Sequence, residues 1–351
     1  MIIYSKSSGT NNAAIGKLET PIKMVIEHES DLQSKKGGAC DWLFNIERSH
    51  RFGETIVGQN EFDVFQATAE GEGAVPDTLR EISHKFIEHV QFTKEFSITA
   101  EMMEDANFGV AVDAKRRAEN FTRSYYKTIH RLCTVALTSA TETTTDFAGA
   151  TLDLTTGDGL PLFSNKHATV TTGIEMSNYF YGNFMHPNTD TGVYSIEKLD
   201  ETLSYFATLM RMGRDERGFA LGYTADTIVL PSNRVTLERM VKKLCGSVYV
   251  PGSSDNDINL QYHNWNVVIL PDWYASEDRF ILMSSEANKE LCGNMFFNRV
   301  PLTVSSWVDH HTGNYNWSGR CRFGVGFGTY KHAIMVVDSA TEIENADRVN
   351  L

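Results

Sequence analysis

Apolar residues fall three or four apart along one central stretch of the chain. Ala114, Ala118, Phe121, Tyr125, Ile129, Leu132 and Ala136 trace a single stripe of a 3.6-residue helix over 110–138, and the opposite face carries Asp113, Lys115, Arg116, Arg117, Glu119, Asn120, Arg123, Lys127 and Arg131. The pattern predicts an amphipathic helix of roughly 40 Å at about 1.5 Å per residue, as long as a small domain. Thr99 is a candidate N-cap for a short preceding helix. Glu101, Glu104 and Asp105 sit where carboxylates meet its positive end, and Gly109 marks the break before the long segment.

The stretches 54–66 and 84–96 are instead rich in β-formers, with Ile56, Phe62, Val64, Phe86, Val90, Phe92 and Phe96, and they predict two strands. The acidic, glycine-rich connection between them carries Pro76 and reads as the flexible tip of a long hairpin. A two-stranded ribbon is marginally stable alone, so its partner is expected outside the chain's own core. Residues 1–52 show little periodicity and several small or polar clusters, which predicts an extended arm. The threonine-rich stretch 138–173 predicts a surface connection with few strands.

From Ser195 the pattern becomes that of a packed α+β unit. Ser195 caps a predicted helix whose Ile196, Leu199, Leu203, Phe206 and Met210 share a face. A buried strand around 228–230 stops at Pro231, and a second helix runs to Gly246. NVVILPDW and DRFILMSS predict two more apolar strands in a unit of about 140 residues, a usual size for one core. PLTVSSWV then reads as a strand, DHHTGNYNWSG as a turn and 320–338 as a second long strand. In that strand Cys321, Phe323, Val325 and Phe327 alternate with Arg322, Gly324, Gly326 and Gly328, leaving one face almost bare for close approach of another backbone. The ribbon is expected to lie along the long helix.

Composition supports a real core: 351 residues, 41% of them hydrophobic, with a formal net charge of -13. That charge disfavours general binding to phosphate backbones or anionic membranes, and the run 115–117 reads as a solvated helix face. No secretory leader and no apolar run of the ~20 residues needed to span a bilayer is evident, which predicts a soluble, unexported chain. Five scattered cysteines (Cys40, Cys133, Cys245, Cys292, Cys321) with no CxxC pair predict buried thiols in a reducing compartment.

Candidate chemistry is sparse. GxSxG, HExxH and GxGxxG are absent, and Gly9, Gly16 and Lys17 lack the spacing and the following Ser or Thr of a phosphate-binding loop. Asp309, His310 and His311 lie next to one another, so on a strand they would point to opposite faces, and a polar turn is the better reading. His84, His89, His130, His167 and His332 are scattered. No catalytic residue, no cofactor and no metal site is assigned, although carboxylates could meet in space unseen.

The order of parts nevertheless resembles the major capsid proteins of tailed bacteriophages, the Hong Kong 97 type of fold, nearest to Mu-like major head subunits. The resemblance is carried by GDGLPLFSNKH (157–167), GIEMSN (173–178), DERGFALG (215–222), TADTIVLPSN (224–233), NDIN (256–259) and NYNWSGRCRFGVGFGTYKHAI (314–334). It implies an N-terminal arm (1–52), an E-loop (53–98), a peripheral domain of spine helix and β-ribbon (99–159 and 298–330) and an axial domain (160–297 and 331–351). It also implies a non-enzymatic structural protein that forms hexamers and pentamers of an icosahedral head around double-stranded DNA, assembled in the host cytoplasm and resident in the virion. The implied partners are other copies of itself, a scaffolding protein, a portal and a decoration protein, with no membrane. A fold that begins within about 50 residues leads us to expect a separate scaffolding protein and an unprocessed N-terminus. The E-loop tip, Glu70, Gly71, Glu72, Gly73 and Pro76, is the expected subunit contact. A cellular nanocompartment shell of the same fold and a soluble α+β enzyme are the alternatives.

Overall fold

A computed structural model describes residues 3–4, 13–74, 76–104, 109–169, 171–185, 194–249 and 258–339. Expectations for residues 1–2 and 5–12 of the arm, for Asp105, for 256–257 of NDIN and for the chain end 340–351 lie outside these residues. The elements run β1 (Ile3–Tyr4), α1 (Ala13–Lys36), α2 (Ala39–Leu43), β2 (Asn45–Arg48), β3 (Gly53–Gln59), β4 (Glu81–Glu88), β5 (Val90–Ile98), α3 (Ala100–Glu104), α4 (Gly109–Thr138), β6 (Thr144–Phe147) and β7 (Ala150–Asp153). There follow β8 (Tyr179–Gly182), α5 (Ile196–Arg211), β9 (Thr227–Pro231), α6 (Val235–Gly246), β10 (Asn266–Leu270), β11 (Arg279–Met283), α7 (Ser285–Glu290), β12 (Asn294–Val308), β13 (Tyr315–Phe327) and β14 (Ala333–Asp338).

The long helix is present as α4, and its length has a physical reason. Its first half packs Ala114, Ala118 and Phe121 with Ile22 and Ile26 of α1 and with Leu302, Val304 and Trp317 of the β12–β13 ribbon. Its second half sends Ile129, Leu132, Ala136 and Leu137 into a different core that includes Phe163, Val229, Ile281 and Met335. One stripe therefore ties two cores together. Lys115 and Arg116 are exposed, as a solvated face requires. Thr99 accepts the Met102 amide (3.3 Å) and caps α3.

Two sheets are built against this spine. In the first, β1, β12, β13 and β5 are ordered side by side with β2 added on β12, and β12 and β13 pair antiparallel from Asn294↔Phe327 to Val308↔Tyr315. The second has the order β10-β9-β11-β14-β8. Its strands alternate between two covered faces: Ile228, Leu230, Phe280, Leu282, Ile334 and Val336 meet α5 and α6, whereas Val229, Ile281, Met283, Met335 and Val337 meet the end of α4. Burial on both sides explains why these strands read as continuous apolar runs. Ser195 caps α5 by accepting the Lys198 amide (3.3 Å).

Four expectations are corrected. Residues 13–36 are not extended but form α1, a weakly amphipathic helix held by tertiary contact. Glu29 accepts from Arg123 Nε at 2.6 Å, and Ser30 Oγ lies 2.8 Å from the Tyr126 hydroxyl. The stretch 320–338 is two strands in two sheets, because the chain leaves β13 after Phe327 and re-enters as β14 at Ala333. The segment 84–96 is likewise two strands that part at His89: β4 pairs with β3, and β5 pairs with β13. The threonine-rich connection is partly internal, with β6 and β7 forming a small hairpin and Leu152, Leu154, Leu162, Phe163 and His167 buried. Among the described residues no helix is long and apolar enough to cross a membrane.

Candidate functional site

The hairpin formed by β3 and β4 is the feature that projects. Its strands pair antiparallel from Gly53↔Glu88 to Gln59↔Glu81, and beyond them every described residue from 61 to 80 is exposed. The tip turns where Gly71 takes φ +89, a conformation suited to glycine, and the Glu72 amide donates to the Ala69 carbonyl at 3.1 Å. Glu70, Gly71, Glu72, Gly73 and Pro76 are all exposed there. So are Phe62, Val64 and Phe65, the last with its whole ring in solvent. Apolar rings at the end of a thin ribbon have no core of their own to enter.

The base of the ribbon, by contrast, is docked on its own chain, which corrects the expectation that its whole partner lies elsewhere. Ile87 is buried against the bare face of β13, where a Cβ on Gly326 would come within 2.7 Å of its Cδ1. A Cβ on Gly324 would lie 2.7 Å from the Glu88 carbonyl oxygen. Gly324 thus admits another backbone and Gly326 the Ile87 side chain, a close approach that their alternation with Phe323, Val325 and Phe327 predicts. Beside them the buried Lys85 ammonium donates to Thr155 Oγ1 and pairs with Asp153 Oδ2, both at 2.7 Å. Burial raises the Asp153 carboxyl, but hydrogen bonds from Lys85 and Thr155 outweigh it and hold the group below its ordinary value. Between β4 and β5 sits His89, whose Nδ1 lies 2.7 Å from the Phe52 carbonyl, while Arg322 Nε donates to the His89 carbonyl at 3.2 Å.

Farther out, Arg217 reaches the neck of the tip. Its guanidinium donates to Asp77 Oδ1 at 2.8 Å and lies 3.5 Å from Asp63 Oδ2, so one fork joins the outgoing and returning limbs. Asp77 Oδ2 also accepts the Asp63 amide at 2.8 Å. That amide first, and then the guanidinium, bring the Asp77 carboxyl down to about 2. Between hairpin and body lies an open cleft of about 510 Å³, lined in part by Ile56, Ile82, Asp158, Glu290, Tyr330 and Lys331. Sequence reading missed Lys85, Asp153, Asp63, Asp77 and Arg217, since ion pairs between residues so far apart leave no local signal. Only the bare glycine face pointed to the dock.

The scattered histidines do not assemble a reaction centre. His167 is buried with Nδ1 2.6 Å from Asp158 Oδ2, Nε2 3.1 Å from the Leu162 carbonyl, and its ring stacked on Tyr330. Both ring nitrogens are occupied by structural partners. His332 is fully buried, and burial lowers it to about 3. Asp309 closes a turn by accepting from the His311 amide (3.0 Å) and Thr312 Oγ1 (2.7 Å). Among the described residues no group of three or more His, Cys, Asp or Glu is placed to hold a metal ion. All five cysteines are free. What the hairpin presents is surface: apolar side chains and carboxylates beyond a base docked on its own chain.

Residues 85–336 match the family model described as phage capsid protein. No curated protein matches the sequence. Among solved structures, the chain is similar to the capsid of Myoviridae phage XM1, with TM-score 0.52, 12% identity, and 86% of this chain and 92% of that chain covered. It is also similar to the capsid of Cyanophage P-SCSP1u, with TM-score 0.51, 8% identity, and 85% and 87% covered. The capsid of a native GTA particle gives TM-score 0.50, 12% identity, and 86% and 90% covered. At such identities the likeness is one of fold.

Proposed function

This chain belongs to the phage capsid protein family, and from that premise we propose that it builds an icosahedral head as hexamers and pentamers, each subunit laying its hairpin tip on a neighbour. It is a structural major capsid protein of the virion with the Hong Kong 97-like fold. The observation that carries the proposal is the contrast along one ribbon: Ile87 and Lys85 are buried at its base, while Phe62, Val64 and Phe65 are exposed near its end. Apolar surface presented on a projecting arm is stabilised when a second copy covers it.

In this reading residues 53–98 are the E-loop, of which 61–80 project, and Glu70, Gly71, Glu72, Gly73 and Pro76 touch the neighbouring subunit. Residues 1–52 form the arm, 99–159 and 298–330 the peripheral domain around α4, and 160–297 with 331–351 the axial domain. The subunit catalyses nothing; its work is mechanical. Double-stranded DNA is enclosed without sequence readout, consistent with a net charge of -13. Assembly takes place in the host cytoplasm with a scaffolding protein and a portal. Negative-stain electron microscopy of the purified chain tests this: closed shells or ring-shaped capsomers are expected, and a monodisperse monomer at every protein concentration would overturn it.

A further inference from the structure

Arg217 stands on a loop braced by its own hydrogen bonds, apart from any contact with the hairpin. Asp215 Oδ1 accepts the Arg217 amide (2.9 Å) and the Phe219 amide (2.7 Å), Arg214 donates to the Gly218 carbonyl (3.3 Å), and Arg214 and Ala220 form a β-bridge. The neighbouring Glu216 pairs with Lys331 Nζ at 2.9 Å, which ties the loop to the segment between β13 and β14. From this platform the guanidinium spans Asp63 and Asp77, fourteen residues apart in the chain and joined to each other by the Asp63 amide. The result is a closed ring of three residues at the neck of the tip, two links through Arg217 and one through the Asp63 amide. A planar, five-donor guanidinium can serve both carboxylates from one position, which a lysine ammonium cannot do with the same geometry.

The hairpin is thus held at two places, the Lys85–Ile87 base and the Arg217 neck, with the tip free beyond the second. Two fixed points along a ribbon define a direction, whereas one leaves it to swing about its base. We propose that Arg217 is a positioning residue that aims the hairpin tip at the neighbouring subunit by clasping Asp63 and Asp77 within its own chain. This rests on the reading of the hairpin as an intersubunit arm. The clasp acts through the hairpin and contributes no contact to the neighbour itself.

The test compares wild type with R217A, R217K and the hairpin-side pair D63N/D77N, which alters only exposed or half-exposed side chains and guards against a folding defect in R217A. Hydrogen exchange on unassembled subunits reads the clasp, and the distribution of particle diameters by electron microscopy reads the aim. In R217A and D63N/D77N the Asp63 amide is expected to exchange at least about tenfold faster with an unchanged melting temperature, because only a local opening is affected. Uniform shells should give way to mixed sizes and open sheets, with R217K intermediate in both readouts. Unchanged exchange overturns the proposal, and so does faster exchange with shells as uniform as wild type. Wild-type protein that forms no particle removes the capsid reading instead; exchange alone then judges the clasp, tenfold loosening upholding it and no change overturning it.

Discussion

Placing a methyl group on the bare face of β13 perturbs the hairpin dock in two distinguishable ways. In Gly326→Ala the new Cβ would meet Ile87 Cδ1 and Cγ1 at 2.7 and 2.8 Å, atoms of a side chain. In Gly324→Ala it would meet the Glu88 carbonyl oxygen at 2.7 Å, an atom of the backbone. Overpacking of this kind costs about 1–3 kcal/mol. Ile87→Ala alone, at a buried position, costs about 2–5 kcal/mol through lost burial and the cavity left behind. Combined with Gly326→Ala it removes the clash and lets the new methyl take part of the vacated space, so the double variant should be less destabilised than the sum by about 1–3 kcal/mol. Combined with Gly324→Ala it should give no comparable relief, since the obstructing oxygen remains. Urea unfolding of unassembled subunits, followed by tryptophan fluorescence at constant m-value, measures all five variants. Strict additivity for the Ile87–Gly326 pair, or equal rescue of both glycine variants, would refute the docking of Ile87 on this face.

The Lys85–Asp153 pair predicts an acid limit for the same dock. The folded Asp153 carboxyl lies below its ordinary value of 3.8, so its contribution is fully present above that value and is lost as pH falls through the folded pKa. Proteolysis at the ribbon base, residues 81–88, should therefore rise below about pH 4 in wild type and show no such step in Asp153→Asn, which should be more susceptible there already at neutral pH. Burial raises the thiols of Cys133, Cys245 (to about 11) and Cys321 (to about 12), so iodoacetamide at pH 8 should label them only after unfolding, with the half-buried Cys292 first among the native sites. Ser195→Ala removes the α5 cap and should lower stability by about 1 kcal/mol in the same urea assay, with Ser195→Asp close to neutral.

Much of the fold was legible because periodicity and burial coincide. The stripe of α4, the face of α5 led by Leu199, Leu203 and Phe206, and the apolar runs of β9, β10 and β11 are dictated by local pattern. Where sequence reading failed, the deciding interaction was distant. In α1 the helical spacing of Ile15, Leu18, Ile22 and Ile26 is interrupted by Gly16 and Pro21, which read locally as breakers, and the helix is fixed by Ile22, Ile26 and Glu29 against α4. The breaks at His89 and between Phe327 and Ala333 fall inside runs that remain β-rich, so only pairing with different strands reveals them. Of the candidate site, the exposed tip was foreseen from Gly71, Gly73 and Pro76, and the bare strand face from Gly324 and Gly326. The Arg217 clasp was not, because its partners lie 140 and more residues away.

The central claim is that the hairpin tip is left wet in a single subunit and becomes dry when copies meet. Chymotryptic cleavage after Phe62 and Phe65, compared between unassembled subunits and purified particles, tests it directly. Rapid cutting in the subunit and protection in the particle are predicted; equal cutting in both states would contradict the account.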